Sequence, residues 1–405
     1  MRGEAAAIDA WGELGSKNWS WKKLFPYYKA SEDFTAPGSG QVAAGASFAT
    51  RYHGVGGPLK VGYTKKLVNG SFSAGVMGAW EEVGLRRNPD LNGGRLRGYG
   101  MGPQTLDVEK GVRWDAARAY YFPVSGRKDL RIIRGTATRV AWKKERRGGK
   151  MVAAGVCYFD GEKEVRVDAK REVILSAGSL RTPLLLERSG VGSRDVLEKL
   201  GIETVVDLPG VGHNLGGQPG HLLMFEGTLD PSANAYHTYV DVEDIYGDKT
   251  DDVEAETRRN IGKWAQDIVD SSPAKEMNSK AVRKVLETQH DLLFKKRAAV
   301  AEIQTIVLEG LLLSQFWILQ PFSKGSVHLE STSIEDINKP LITPRYYSAE
   351  FDLESTVQVG KFIQRFLNAT AISGNVGARL SPTYEVLPTN AADAQWATYL
   401  KGACK

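Results

Sequence analysis

Arg171 to Gly192 reads REVILSAGSLRTPLLLERSGVG, and the rest of the chain is organised around it. Val173-Ile174-Leu175 is a short continuous apolar run, which predicts a strand buried on both faces. Ser176-Ala177-Gly178-Ser179 follows, four small residues that let another backbone or a flat ligand come close. Thr182-Pro183 predicts a helix start, with Thr182 capping the free N–H groups and Pro183 at the first helical position. Leu184, Leu185 and Leu186 give that helix an apolar face, and Gly190 is placed to end it in a left-handed conformation. A strand, a small-residue crossing and a helix N-terminus together suit a cofactor that carries phosphates. On physics alone, any βα unit of an α/β protein reads this way.

The chain has 405 residues, a length that predicts two or three domains. Hydrophobic residues make up 42% and charged residues 25%, an ordinary balance for a globular protein with a large core. The net charge of +5 is spread along the chain. Its densest basic run, Lys143 to Arg147 with Lys150, falls in an expected hairpin turn and is broken by Glu145, so nucleic acid is not an expected partner. No stretch is long and apolar enough to span a membrane. Met1-Arg2-Gly3-Glu4 opens directly into helix-like sequence, so no signal peptide is expected in this chain. Sequons at Asn18, Asn69 and Asn368 permit secretion without requiring it. Cys157 and Cys404 have no metal spacing, and neither a disulfide framework nor a metal site is expected.

Glu4 to Leu14 predicts a helix ended by Gly15. Ser20 is expected to cap a second helix that Pro26 restarts or kinks. Asp33 to Arg113 is glycine-rich, with a strand-like piece at Leu59 to Tyr63 and a helix-like piece at Ser73 to Val83. Gly38-Ser39-Gly40-Gln41-Val42-Ala43 matches a dinucleotide loop formally, but it follows Pro37 and is read as a turn. Asp115 to Tyr121 predicts a helix and Leu130 to Ile133 a strand. Ala137 to Trp142, Val152 to Phe159 and Val165 to Asp168 predict a meander that turns at Asp160-Gly161 and leads into the Val173 strand. Val240 to Glu309 has helical period, with Ile303, Ile306, Val307 and Leu311 on one face. His213 and His221 are read as packed or exposed rather than chemical, and His328 as facing away from the core of a strand.

Several strings, in order, resemble the glucose–methanol–choline flavoprotein oxidoreductases. One is Gly178-Ser179-x-x-Thr182-Pro183-x-x-Leu186-x-x-Ser189-Gly190-Val191-Gly192. Others are Arg2-Gly3 with Trp19-Ser20-Trp21 and Leu24 to Lys29, His53-Gly54-Val55-Gly56-Gly57-Pro58-Leu59, and Gln315 to Leu329. The resemblance implies a mixed α/β fold: an incomplete FAD-binding α/β domain, and a substrate domain on a mainly antiparallel sheet covered by helices. The implied domains are 1–222, with a substrate-domain insertion near 40–112, and 223–405, with the family's C-terminal region from about 315. The implied cofactor is FAD, touched by Ala137 through its backbone and by Ser176, Ala177 and Gly178. The implied partner is a small alcohol, whose hydride passes to the flavin while a histidine takes the hydroxyl proton.

Departures matter too. Asn214-Leu215 is followed by Gly216-Gly217-Gln218, where the family has an acidic residue. The family's opening glycine loop and its catalytic histidine string do not occur in these residues. The expectation is therefore an FAD-dependent alcohol oxidoreductase truncated at both ends and inactive by itself, with no catalytic residue assigned. The alternative is a remnant of the family that binds no flavin. A cyanohydrin lyase of the same family stays open, and a hydrolase is disfavoured because no Gly-x-Ser-x-Gly elbow occurs. Oligomeric state and compartment are not set by the sequence.

Overall fold

Along Ile303-Gln304-Thr305-Ile306-Val307 fully buried and partly buried side chains alternate, and the chain there is a strand, Ala301–Leu308. This corrects the helical reading of 303–311. Apolar residues at 303, 306, 307 and 311 fit both periods. Gly310, at φ +72°, turns the chain so that Leu308 faces Leu311 and a second strand, Leu311–Ile318, runs back. The computed structural model describes all residues except Met1, Arg146, Lys275, Glu276, Ile337, Asn338 and Lys405.

These two strands are the middle of a six-stranded antiparallel sheet. Its order is Val376–Ser381, His221–Gly227, Leu311–Ile318, Ala301–Leu308, Tyr236–Val240 and Gly98–Gly100. The fold is thus mixed, with helices laid on a largely antiparallel sheet. One face carries Leu223, Phe225, Ile303, Val307, Leu312 and Phe316, all buried. Helices Ser71–Glu82, Thr250–Asp270, Ser279–His290 and Glu350–Leu367 supply the other side of this core. Trp80 stacks on Phe366 at 4.0 Å between ring centroids and on Phe362 at 5.7 Å. Burying aromatics of this size dominates the stability of such a layer.

A second, three-stranded antiparallel sheet is the expected meander: Thr136–Trp142, Ala153–Phe159 and Glu164–Asp168. Cys157 is buried in it and, like Cys404, forms no disulfide. His213–Leu215, Gly325–Leu329 and Pro340–Thr343 form a third sheet. The expected first helix is Ala5–Glu13.

Other expectations are corrected. Val173 to Leu175 and Leu130 to Ile133 belong to no strand, and no strand among the described residues pairs with them. Ile174 is 76% exposed and Ile132 72%. Thr182 is the first residue of helix Thr182–Arg188 and makes no cap, since Arg181 occupies the N-cap position. Ser20 makes no side-chain cap either. Asp9 Oδ1 accepts from the Trp21 backbone N–H at 2.7 Å instead, and Pro26 sits inside the continuous helix Trp21–Ser31. Gly38 to Ala43 is not a turn, but opens the short helix Ser39–Ala43. Gln41 Oε1 accepts from Gly38 N at 2.8 Å, filling the place an anion would need.

Candidate functional site

Ser176, Ala177 and Gly178 form an exposed bend just before helix Thr182–Arg188. Gly178 lies at φ +86°, a conformation that L side chains rarely adopt, and a Cβ there would meet nothing within 4 Å. Ala137 is exposed on strand Thr136–Trp142, the edge of the three-stranded sheet, so one row of that strand's backbone groups has no strand partner. The same strand is tied to the helix's end: Ser189 Oγ accepts from Val140 N and Ser189 O from Trp142 Nε1, both at 2.7 Å. Small side chains, a left-handed glycine and an open backbone edge fit a ligand held by main-chain contacts, as FAD would be.

That helix is anchored from its other face. Glu187, fully buried, accepts from His328 Nδ1 at 2.6 Å and from Leu329 N at 2.8 Å. His328 therefore points inward, against the expectation that it faces away from the core. Alternation gave its face correctly relative to its neighbours, but a buried carboxylate on another element made the polar side an interior. His213 packs edge-on to His328 at 4.7 Å. Burial first, then His328, lowers its pKa to about 4. Burial does the same to His221, also to about 4, beside the Tyr347 hydroxyl at 2.6 Å. Both imidazoles are neutral at pH 7.

The six-stranded sheet leaves its other face half open. Leu222, Met224, Ile306, Leu313, Gln315 and Trp317 are only partly buried there. Among them lies a polar group that sequence reading missed. Glu302 Oε1 meets His237 Nδ1 at 2.9 Å and accepts from Gln304 Nε2 at 3.3 Å. Tyr239 lies opposite Glu302 in register, and burial, then the Glu302 carboxylate, pushes its phenol well up. The face runs out into a cavity of about 680 Å³ lined by His237, Asn234, Gln104, Thr105 and Arg113. Asn234 is 2% exposed, and neither its side-chain oxygen nor its nitrogen has a protein partner. Such a buried amide calls for a polar ligand or water. His237 and Glu302 lie far apart in sequence. Reading Glu302-x-Gln304 as strand would have put both on one face.

Behind the cavity, Glu32 joins Arg2 at 2.8 Å and His53 at 3.1 Å, and His53 Nε2 reaches Asp90 at 2.9 Å. Burial alone would lower the His53 pKa, but the hydrogen bonds to Asp90 and Glu32 outweigh it, and the net direction is upward. Among the described residues, no group of three or more His, Cys, Asp or Glu could hold a metal.

The GMC oxidoreductase family description matches residues 1–220, more than half of the chain. The chain belongs to the GMC oxidoreductase family. It is 47% identical over 409 residues to a glucose oxidase-like protein of Humicola fuscoatra, covering 99% of this chain and 68% of that protein. A glucose oxidase of Aspergillus carbonarius is 29% identical, over 97% of this chain and 64% of its own length. This GMC chain thus spans about two thirds of the length of these relatives. The fold is likewise that of an FAD-dependent oxidoreductase from Chaetomium thermophilum, with a TM-score of 0.86 at 22% identity, covering 100% of this chain and 72% of that one. A fungal aryl-alcohol oxidase gives 0.84 at 21% identity, covering 98% of this chain and 72% of that one.

Proposed function

We propose that this GMC chain is the larger part of an FAD-dependent oxidoreductase acting on the CH–OH group of an alcohol. Membership of the family across residues 1–220 carries the reading. FAD, when bound, supplies the acceptor for the hydride. Ala137 would hold it through the backbone, and Ser176, Ala177 and Gly178 by leaving room for close approach. The alcohol would lie on the open face of the six-stranded sheet. There the half-buried apolar side chains exclude water, while His237, Gln304 and Gln315 hydrogen-bond hydroxyls. Residues 1–222, with an insertion near 40–112, form the flavin-binding domain in this reading, and 223–405 the substrate domain. The strand Gly98–Gly100, which joins the large sheet beside Tyr236–Val240, supports such an insertion.

By themselves these residues are proposed to oxidise no alcohol. Among the described residues no diphosphate grip is assigned, and at the one formal glycine loop Gln41 Oε1 already accepts from Gly38 N. No base is assigned, and a general base contributes about 10²–10⁴-fold in rate. The test is anaerobic flavin reduction with FAD in excess and a panel of aryl, aliphatic and sugar alcohols. No bleaching is expected from the 405 residues, and bleaching from a version carried to the relatives' full length. Substrate-dependent bleaching by the chain alone overturns the inactivity. A full-length version that holds FAD yet bleaches with no alcohol overturns the oxidoreductase reading.

A further inference from the structure

A separate cavity of about 300 Å³ lies under the first helix, between Ala5–Glu13, the end of Ser279–His290 and the loop to Lys324. Its walls are apolar on one side, with Ala10, Trp11 and Leu292, and polar on the other, with Asn214, Gln289 and Gln320. Trp11 is 60% exposed and stacks on Trp19 at 5.9 Å, presenting an indole at the cavity wall. The polar end is Lys324. Its Nζ donates to Gln289 Oε1 at 3.2 Å and to Pro321 O at 2.5 Å, both neutral acceptors. Among the described residues, no carboxylate lies within ion-pair distance of it. Asp352, whose charge acts on it, directs its two oxygens to the backbone N–H of Phe322 at 2.8 Å and Ser323 at 2.7 Å.

We propose that this cavity binds a small monoanion with a flat apolar body, of the aryl-carboxylate class, its charge on Lys324 and its ring against Trp11. An ammonium has three donors, and two are already met by protein. A largely buried cation whose hydrogen-bond acceptors are both neutral gains more from an anion than an exposed one does. The volume lies at the low end of small-molecule sites, which favours a single ring over a nucleotide. The apolar side of the wall, with the Trp11 indole, favours an anion that carries a ring over a bare inorganic one. Burial lowers the Lys324 ammonium to about 8, so it remains charged at neutral pH.

Isothermal titration of the protein with benzoate, and with benzamide as the uncharged isostere, decides this. Saturable benzoate binding is expected, with benzamide weaker by about tenfold or more. Lys324→Met should abolish the preference for the anion, Lys324→Arg should keep it, and Trp11→Ala should weaken binding of both. Absent benzoate binding by protein that shows native circular dichroism, or equal binding of benzamide, overturns the site. Should Lys324→Met fail to fold, the unmutated protein's own pH series decides. Benzoate affinity should fall as the pH rises past about 8, and a flat profile overturns the assignment.

Discussion

The sheet built from 301–308 and 311–318 and the segment 171–180 begin from similar material, short runs rich in Val, Ile and Leu. In the sheet, Ile303, Val307, Leu312 and Phe316 are sealed between neighbouring strands and four helices. In the segment, Ile174 stands 76% exposed with no strand alongside among the described residues. The contrast lies in their partners, not in their composition. Apolar sequence stores a tendency to be buried, and burial occurs only where another element presents a matching face. Leu130, Ile132, Ile133 and Leu180 are exposed in the same way. Patches of this kind mark surfaces that something else covers.

The largest effect expected is on the open side. Gly178→Val, in a version of the full relatives' length, should abolish flavin retention while leaving the protein soluble. A Cβ at 178 would meet no protein atom within 4 Å, so the effect falls first on the left-handed backbone and on whatever lies against it. Stoichiometric flavin, read from the absorbance of purified protein, would show that the crossing does not face the cofactor.

On the closed side, Phe366→Ala should cost about 3–5 kcal/mol in denaturant unfolding, because it empties the ring position under Trp80. Ile174→Ser should change stability by no more than about 0.5 kcal/mol. Equal losses at both positions would erase the contrast. A smaller signal should come from a hydrophobic dye. The triple change Ile132→Ser, Ile133→Ser and Ile174→Ser should reduce dye fluorescence of the native protein, and unchanged fluorescence would place the sticky surface elsewhere.

The smallest effect is in pH dependence, at the His53 cluster that backs the large cavity. A histidine held above 6.5 in the fold stabilises it fully below that pH, and the contribution is lost as pH rises through the folded value. For Asp90 burial acts upward, but the hydrogen bonds from His53 and from the Ala49 and Asn92 backbones outweigh it. The net direction is below 3.8, so its contribution is lost only as pH falls through that lower folded value. The melting temperature should therefore decline as the pH rises above about 6.5. His53→Gln should flatten that decline, and an unchanged slope would clear the cluster of the effect.

Much of this fold was legible where local pattern and tertiary partner agree. The meander at 136–168 alternates, turns at Asp160-Gly161 and pairs within itself, so neighbours in sequence are neighbours in space. Helix Ala5–Glu13 was equally plain. The failures share a cause. Ile303 to Leu311 satisfied a helical period, and only the Gly310 turn argues for two strands. The family strings singled out the crossing and Ala137, but the His237–Glu302–Gln304 group escaped notice. Its members sit on two strands whose pairing no local motif announces.

The central contrast is between a six-stranded sheet paired strand to strand and covered by helices on one face, and a segment 171–180 with no strand beside it among the described residues. Native-state hydrogen exchange tests it most directly. Amides of 302–307 and 312–317 should exchange only through global unfolding, and those of 173–177 within the shortest labelling time. Strong protection of Val173 to Ala177, matching that of the sheet, would contradict the account.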